Sequence, residues 1–170
     1  MHTPSLPDLE SQVAQAVQDL AAALREHSWM LCTAESCTGG WMAKACTDLS
    51  GSSDWFHGGF VSYSYEAKER QLGVIHDDLV AHGAVSEEIA SQMALGARRV
   101  SRADIAVAMT GIAGPGGGLP NKPVGLVCFG WSVTGGRIVT ATERFEGDRA
   151  AVRIQTVLHA LRGTLRLLGD

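Results

Sequence analysis

The sequence predicts an α/β fold, with a mixed, mostly parallel sheet of about five strands and helices on both faces. Three observations carry that expectation. Short apolar runs alternate with segments of helical periodicity along the chain. Two of those runs empty into polar or glycine-rich loops, Glu35-Ser36-Cys37-Thr38-Gly39-Gly40 and Gly111-Ile112-Ala113-Gly114-Pro115-Gly116-Gly117-Gly118. A later pair of apolar runs flanks Thr134-Gly135-Gly136-Arg137. That is a hairpin signal, and it requires at least one antiparallel pair in the sheet.

The elements follow in order. A first helix begins after Ser5-Leu6-Pro7, with Val13, Val17, Leu20 and Leu24 on one apolar face. Trp29 to Ala34 reads as the first strand. A helix from about Thr38 to Thr47 follows, with Gly39 and Gly40 in its first turn. Glycine lowers helix propensity by roughly 1 kcal/mol, so these two suit an end that something packs against. Gly51-Ser52-Ser53-Asp54 is a turn, and Trp55 to Tyr63 is a strand rich in aromatic and β-branched residues. Short helices are expected over Glu66–Leu72 and Asp77–His82. Ser86 is placed to cap a helix that carries Glu87 and Glu88 in its first turn and buries Ile89, Met93 and Val100. Ile105–Met109 is a buried strand, and Val124–Val133 and Ile138–Phe145 form the hairpin. A final helix starts near Asp148 and buries Ile154, Val157, Leu158, Leu161 and Leu165.

Composition bounds the function. A chain of 170 residues makes one domain over 1–170, large enough to bury a core. The net charge is −4, which argues against nucleic acid as the partner. Arg98, Arg99 and Arg102 cluster locally and read as a solvated helix end. No apolar run reaches the ~18 residues of a membrane span. Met1-His2-Thr3-Pro4-Ser5 lacks the features of a signal peptide, so the expected compartment is the cytoplasm. None of Cys32, Cys37, Cys46 and Cys128 pairs at a zinc-like spacing, and the histidines are scattered. Neither a metal nor a cofactor is expected. Cys32 and Cys128 sit in apolar runs as core residues, whereas Cys37 lies within a candidate site loop.

Both special loops leave strands at the carboxyl edge of the sheet, where α/β folds bind ligands. The glycine loop brings bare N–H groups close to a ligand and suits a phosphate or an oxyanion. Ser36 stands between a strand and a helix start, either as the helix cap or as a nucleophile served by backbone donors. No histidine offers itself as a base by spacing. Lys68, in Tyr63-Ser64-Tyr65-Glu66-Ala67-Lys68, could take the serine proton if desolvated, and Tyr63 could relay it or orient the substrate. The alternative is a surface lysine and a half-buried tyrosine. Thr110 bonds a substrate or caps its turn, and Arg149 binds a phosphate or pairs with Asp148. Cys37 is a rival nucleophile, since Glu35, Lys68 and Cys37 are the residue types of a nitrilase-like amidase and a helix N-terminus lowers thiol pKa values.

Seven segments in order carry a more specific resemblance: Ala34-Glu35-Ser36-Cys37-Thr38-Gly39-Gly40, Gly51-Ser52-Ser53, Tyr63-Ser64-Tyr65-Glu66-Ala67-Lys68, Gly83-Ala84-Val85-Ser86, Thr110-Gly111-Ile112-Ala113-Gly114-Pro115, Lys122-Pro123-Val124-Gly125 and Gly147-Asp148-Arg149. From about Leu9 to Leu168 the chain resembles the C-terminal domain family of the competence/damage-inducible protein CinA. The resemblance implies a three-layer α/β/α fold and a homodimer. It also implies hydrolysis of the carboxamide of nicotinamide mononucleotide to nicotinate mononucleotide and ammonia. By motif, Ser36 matches the nucleophile, Lys68 its base and Tyr63 a further catalytic position. The substrate-binding set is Cys37, Thr38, Gly39, Thr110, Gly111, Gly114 and Arg149, in which backbone N–H groups near Cys37 and Thr38 meet the oxyanion. Tyr65 departs from the asparagine usual in the family. A non-catalytic nucleotide-binding or competence-related module is the alternative.

Overall fold

The computed structural model describes residues 5–169. Met1 to Pro4, read above for a missing leader, lie outside that range. Helix α1 (Leu6–His27) opens on a capping box, in which the Ser5 hydroxyl accepts from the Asp8 amide and the Asp8 carboxylate accepts from the Ser5 amide. Then come β1 (Leu31–Glu35), α2 (Trp41–Asp48), a single 3₁₀ turn (Ser52–Asp54) and β2 (Phe56–Val61). Three helices follow: α3 (Tyr65–Leu72), α4 (His76–His82) and α5 (Glu87–Ser101). The chain ends with β3 (Ile105–Gly111), the hairpin β4 (Leu126–Val133) and β5 (Arg137–Arg144), and α6 (Arg149–Gly169).

The sheet runs β2-β1-β3-β4-β5. β1 pairs in parallel with β2 and β3, and the β3–β4 and β4–β5 ladders are antiparallel. The sheet is therefore mixed, as expected. Four strands run one way and β4 runs against them, so the ladders divide evenly between the two kinds.

Alternation along the strands splits the core into two layers. Leu31, Ile105, Val107, Met109, Phe129 and Trp131 pack against α1, α2 and α6. Cys32, Ala34, Ala106 and Ala108 meet α5, together with Leu72 and Leu79. Small residues bring α5 very close to the sheet, and a Cβ on Gly130 would strike the Ala90 carbonyl. This is the three-layer arrangement. Ser86 caps α5 as expected, its hydroxyl accepting from the Ile89 amide at 3.3 Å.

Two local expectations are corrected. The second helix begins at Trp41 rather than Thr38. Gly39 and Gly40 adopt φ of 60° and 97°, left-handed values that hold Thr38–Gly40 in a turn. Val100 is exposed, because the buried stripe of α5 passes through Ile89, Met93 and Ala97 and ends there. All four cysteines are free and buried, Cys32 and Cys128 as core residues. Among the described residues, no helix is long and apolar enough to cross a membrane.

Candidate active site

The chain leaves β1 through α2 on one face and returns to β3 through α5 on the other. The carboxyl ends of β1 and β3, adjacent in the sheet, thus form a switch-point crevice. A cavity of about 280 Å³ opens there. Ser36, Cys37, Tyr63, Lys68, Thr110, Gly111, Gly114 and Arg149 all line it. Thr38 and Gly39 are not among the lining residues. A larger cavity of about 410 Å³ lies between α1 and α2, lined by Val13, Val17 and Trp41 among others, but it holds no nucleophile–base pair.

Ser36 is the first residue after β1 and is almost fully buried. Lys68 is carried on α3, whose first turn is fixed by the Ser64 hydroxyl accepting from the Ala67 amide at 3.0 Å. The Lys68 side chain is 1% exposed, which excludes the surface-lysine alternative. Its Nζ lies 3.0 Å from Ser36 Oγ, 2.9 Å from the Ser62 carbonyl and 2.8 Å from the Tyr63 carbonyl. Burial disfavours the charged form and lowers Lys68 from 10.5 to about 8. The amine can therefore lose its proton near neutral pH. Tyr63 contributes its backbone carbonyl to this contact, while its side chain is largely exposed at the cavity.

Cys37 lines the same cavity but belongs to the apolar core cluster. Burial pushes its thiol up to about 12. The lowering expected from a helix N-terminus is outweighed by desolvation, so the thiol stays protonated and is a poor nucleophile.

Thr110 donates to the Ala84 carbonyl at 2.9 Å and so fastens the end of β3 to the segment before α5. Arg149 donates from Nη1 to the Gly114 carbonyl at 2.8 Å rather than pairing with Asp148, whose carboxylate instead accepts from the Ala151 amide. Gly114 holds φ of 80°, and a Cβ there would meet Val124 at 2.5 Å. No acidic side chain is among the residues lining the cavity, and Arg149 brings its guanidinium to it, which suits an anionic ligand.

Two residues support the site: Arg153 escapes the sequence reading, and Glu35 enters it only as a residue type of the nitrilase-like alternative. Glu35, fully buried, accepts from the Thr38 hydroxyl at 2.7 Å, from the Met42 and Ala43 amides at 2.9 Å each, and from the Thr33 hydroxyl at 3.3 Å. Its carboxylate thus sits on the N-terminus of α2, where the helix field favours an anion. Arg153 donates from Nε to the Cys37 carbonyl at 3.0 Å and from Nη2 to the Thr38 carbonyl at 2.9 Å. Its guanidinium also lies 5.2 Å from the Trp41 ring centre. A charged residue at the end of an apolar strand, and a second arginine one turn after Arg149, are the signals that mark them. Among the described residues, no cluster of potential ligands could hold a metal ion.

Fold and site together define an α/β protein with a serine–lysine pair at the switch point of its sheet. The CinA C-terminal domain model matches residues 13–168, and the chain belongs to that family. Its relatives include the nicotinamide-nucleotide amidohydrolase PncC of Escherichia coli K12, 48% identical over 153 residues, with 90% of this chain and 93% of that protein covered. The PncC protein of Pseudomonas putida is 49% identical over 144 residues, covering 85% and 89%. The crystal structure of a competence/damage-inducible protein from Agrobacterium tumefaciens superposes with a TM-score of 0.86 at 41% identity, covering 100% of this chain and 99% of the other.

Proposed function

We propose that this chain hydrolyses the carboxamide of nicotinamide mononucleotide to nicotinate mononucleotide and ammonia. The observation that carries the reading is the 3.0 Å contact between Lys68 Nζ and Ser36 Oγ. The PncC relatives are nicotinamide-nucleotide amidohydrolases, which supports the substrate.

A neutral lysine amine has two N–H bonds and one lone pair. The N–H bonds go to the Ser62 and Tyr63 carbonyls, and the lone pair faces the Ser36 hydroxyl. Ser36 Oγ attacks the carboxamide carbon as its proton passes to Lys68. The carbonyl π electrons move onto oxygen, and the amides of Cys37 and Thr38 meet the oxyanion, each such donor being worth roughly 3–4 kcal/mol. Collapse breaks the C–N bond, and Lys68 returns the proton so that ammonia departs. Water then attacks the acyl-enzyme, losing a proton to Lys68, which passes it to Ser36 Oγ as the ester bond breaks. Arg149 and the glycine loop hold the phosphate and ribose, and the Tyr63 side chain orients the ring at the mouth. Amine and hydroxyl supply base and nucleophile, so the scheme calls for no cofactor.

We read residues 1–170 as one domain that acts as a homodimer in the cytoplasm. Four buried free thiols fit a reducing compartment, and sedimentation would measure the oligomeric state.

Ammonia released from nicotinamide mononucleotide by the purified protein tests the activity. Turnover that disappears in Ser36→Ala and Lys68→Ala supports the reading. Tight binding of the nucleotide without turnover overturns it in favour of a binding module.

A further inference from the structure

Arg153 has no contact with the cavity, yet it commits its guanidinium to two consecutive backbone carbonyls of the loop that carries Ser36. Such bonds fix whole peptide planes, because the C=O and N–H of one trans peptide point in opposite directions. Holding the Cys37 carbonyl turns the Thr38 N–H away from α6. Holding the Thr38 carbonyl turns the Gly39 N–H the same way, and that amide donates back to the Ser36 carbonyl at 3.1 Å. With the Ser36 carbonyl held, the Cys37 N–H is fixed in turn. Among the described residues, no backbone carbonyl accepts from the Cys37 or Thr38 amide. Neither is committed to a backbone carbonyl, and Cys37 lines the cavity beside Ser36, with Thr38 the next residue of the same turn.

We propose that Arg153 is the positioning residue that aims these amides at the oxyanion. Its charge also polarises the peptides whose carbonyls it holds, which strengthens the opposite N–H ends as donors. Trp41 braces the guanidinium from the first turn of α2. Glu35 anchors the other side of the loop through Thr38, Met42 and Ala43. The turn is therefore gripped by a cation at its carbonyls and by an anion at the helix that follows. The role differs from that of Arg149, which lines the cavity itself.

The proposal rests on the amidase reading, and the experiment separates the two. Wild type, Arg153→Lys and Arg153→Gln are compared for ammonia release from nicotinamide mononucleotide, with melting temperatures measured alongside. Arg153→Gln is expected to lower kcat by about tenfold or more, with KM changed by less than about twofold and the fold retained. Arg153→Lys falls between, since an ammonium lacks the two-pronged geometry, and it carries the comparison if the glutamine variant does not fold. Equal kcat in all three proteins, or a loss confined to KM, overturns the proposal. A second readout is labelling of Ser36 by a small fluorophosphonate, whose phosphoryl oxygen needs the same amides but no nucleotide pocket. Slower labelling in the variants supports the positioning role even if wild type leaves nicotinamide mononucleotide intact, a result that would sink only the amidase reading. Equal labelling rates, or no labelling of wild-type Ser36, overturn the positioning role.

Discussion

The amide of Ser36 donates to the carbonyl of Met109 at 3.0 Å. This bond extends the β1–β3 ladder one residue past the end of β1, so the serine leaves the sheet from a backbone still tied to its neighbour. Its Oγ is therefore as well placed as the rigid core beneath it. The consequences can be measured one residue at a time.

Removing the reacting groups should abolish turnover without unfolding the protein. Ser36→Ala and Lys68→Ala should each lower kcat by roughly 10⁴-fold or more, and the double variant should be little worse than either. Cys37→Ala should keep most of the ammonia release, because burial holds the thiol protonated up to about 12. An inactive Cys37→Ala beside an active Ser36→Ala would reverse the assignment.

The pH dependence follows from the buried amine. Burial lowers Lys68 to about 8, and only the neutral form can accept the serine proton. Log kcat/KM should climb with slope near one below about pH 8 and level off above it. A profile that falls as pH rises through that region would mean the ammonium is the working form.

Arg149 should matter for the phosphate and little else. Arg149→Met should lower kcat/KM for nicotinamide mononucleotide by about 10- to 100-fold, the usual worth of a charge-assisted hydrogen bond. Hydrolysis of nicotinamide riboside, which lacks the phosphate, should change far less. Equal losses on both substrates would assign Arg149 to loop structure through its bond to Gly114.

Glu35 should reveal itself in stability. Its carboxylate is the common acceptor for two amides and two hydroxyls in a site closed to solvent. Glu35→Ala leaves those donors without a partner and should cost about 3 kcal/mol or more in urea unfolding. A change below about 1 kcal/mol would mean that water replaces the carboxylate.

Much of this was legible in the chain. Apolar runs such as Ile105–Met109 have no polar residue to place on a wet face, so they had to be buried strands. Ser86 before Glu87-Glu88 could hardly be other than a cap, and the double glycine between β4 and β5 forced a hairpin. The site was legible through the two loops that follow such runs. What stayed hidden depends on tertiary geometry. The sequence separation of 32 between Ser36 and Lys68 carries no distance, and only the packing of α3 beside the end of β1 brings the two atoms together. Tyr63 acts on Lys68 through its main chain, which no side-chain pattern reports. Thr38 to Gly40 read as helix because propensity is blind to a left-handed pair serving as the exit from a strand. Glu35 was quoted within a motif, but its partners belong to the next helix, and Arg153 acts on peptides rather than on side chains.

The C-terminal helix reaches the loop after β1 through Arg153 and the loop after β3 through Arg149. During synthesis, the ribosome completes the serine, the lysine and the whole sheet before it makes either guanidinium. A nascent chain folded as far as the hairpin would own its reactive groups but lack the clasp that orders the backbone around them. Competence would therefore arrive late and abruptly, when the final 21-residue helix docks, rather than grow as the strands assemble.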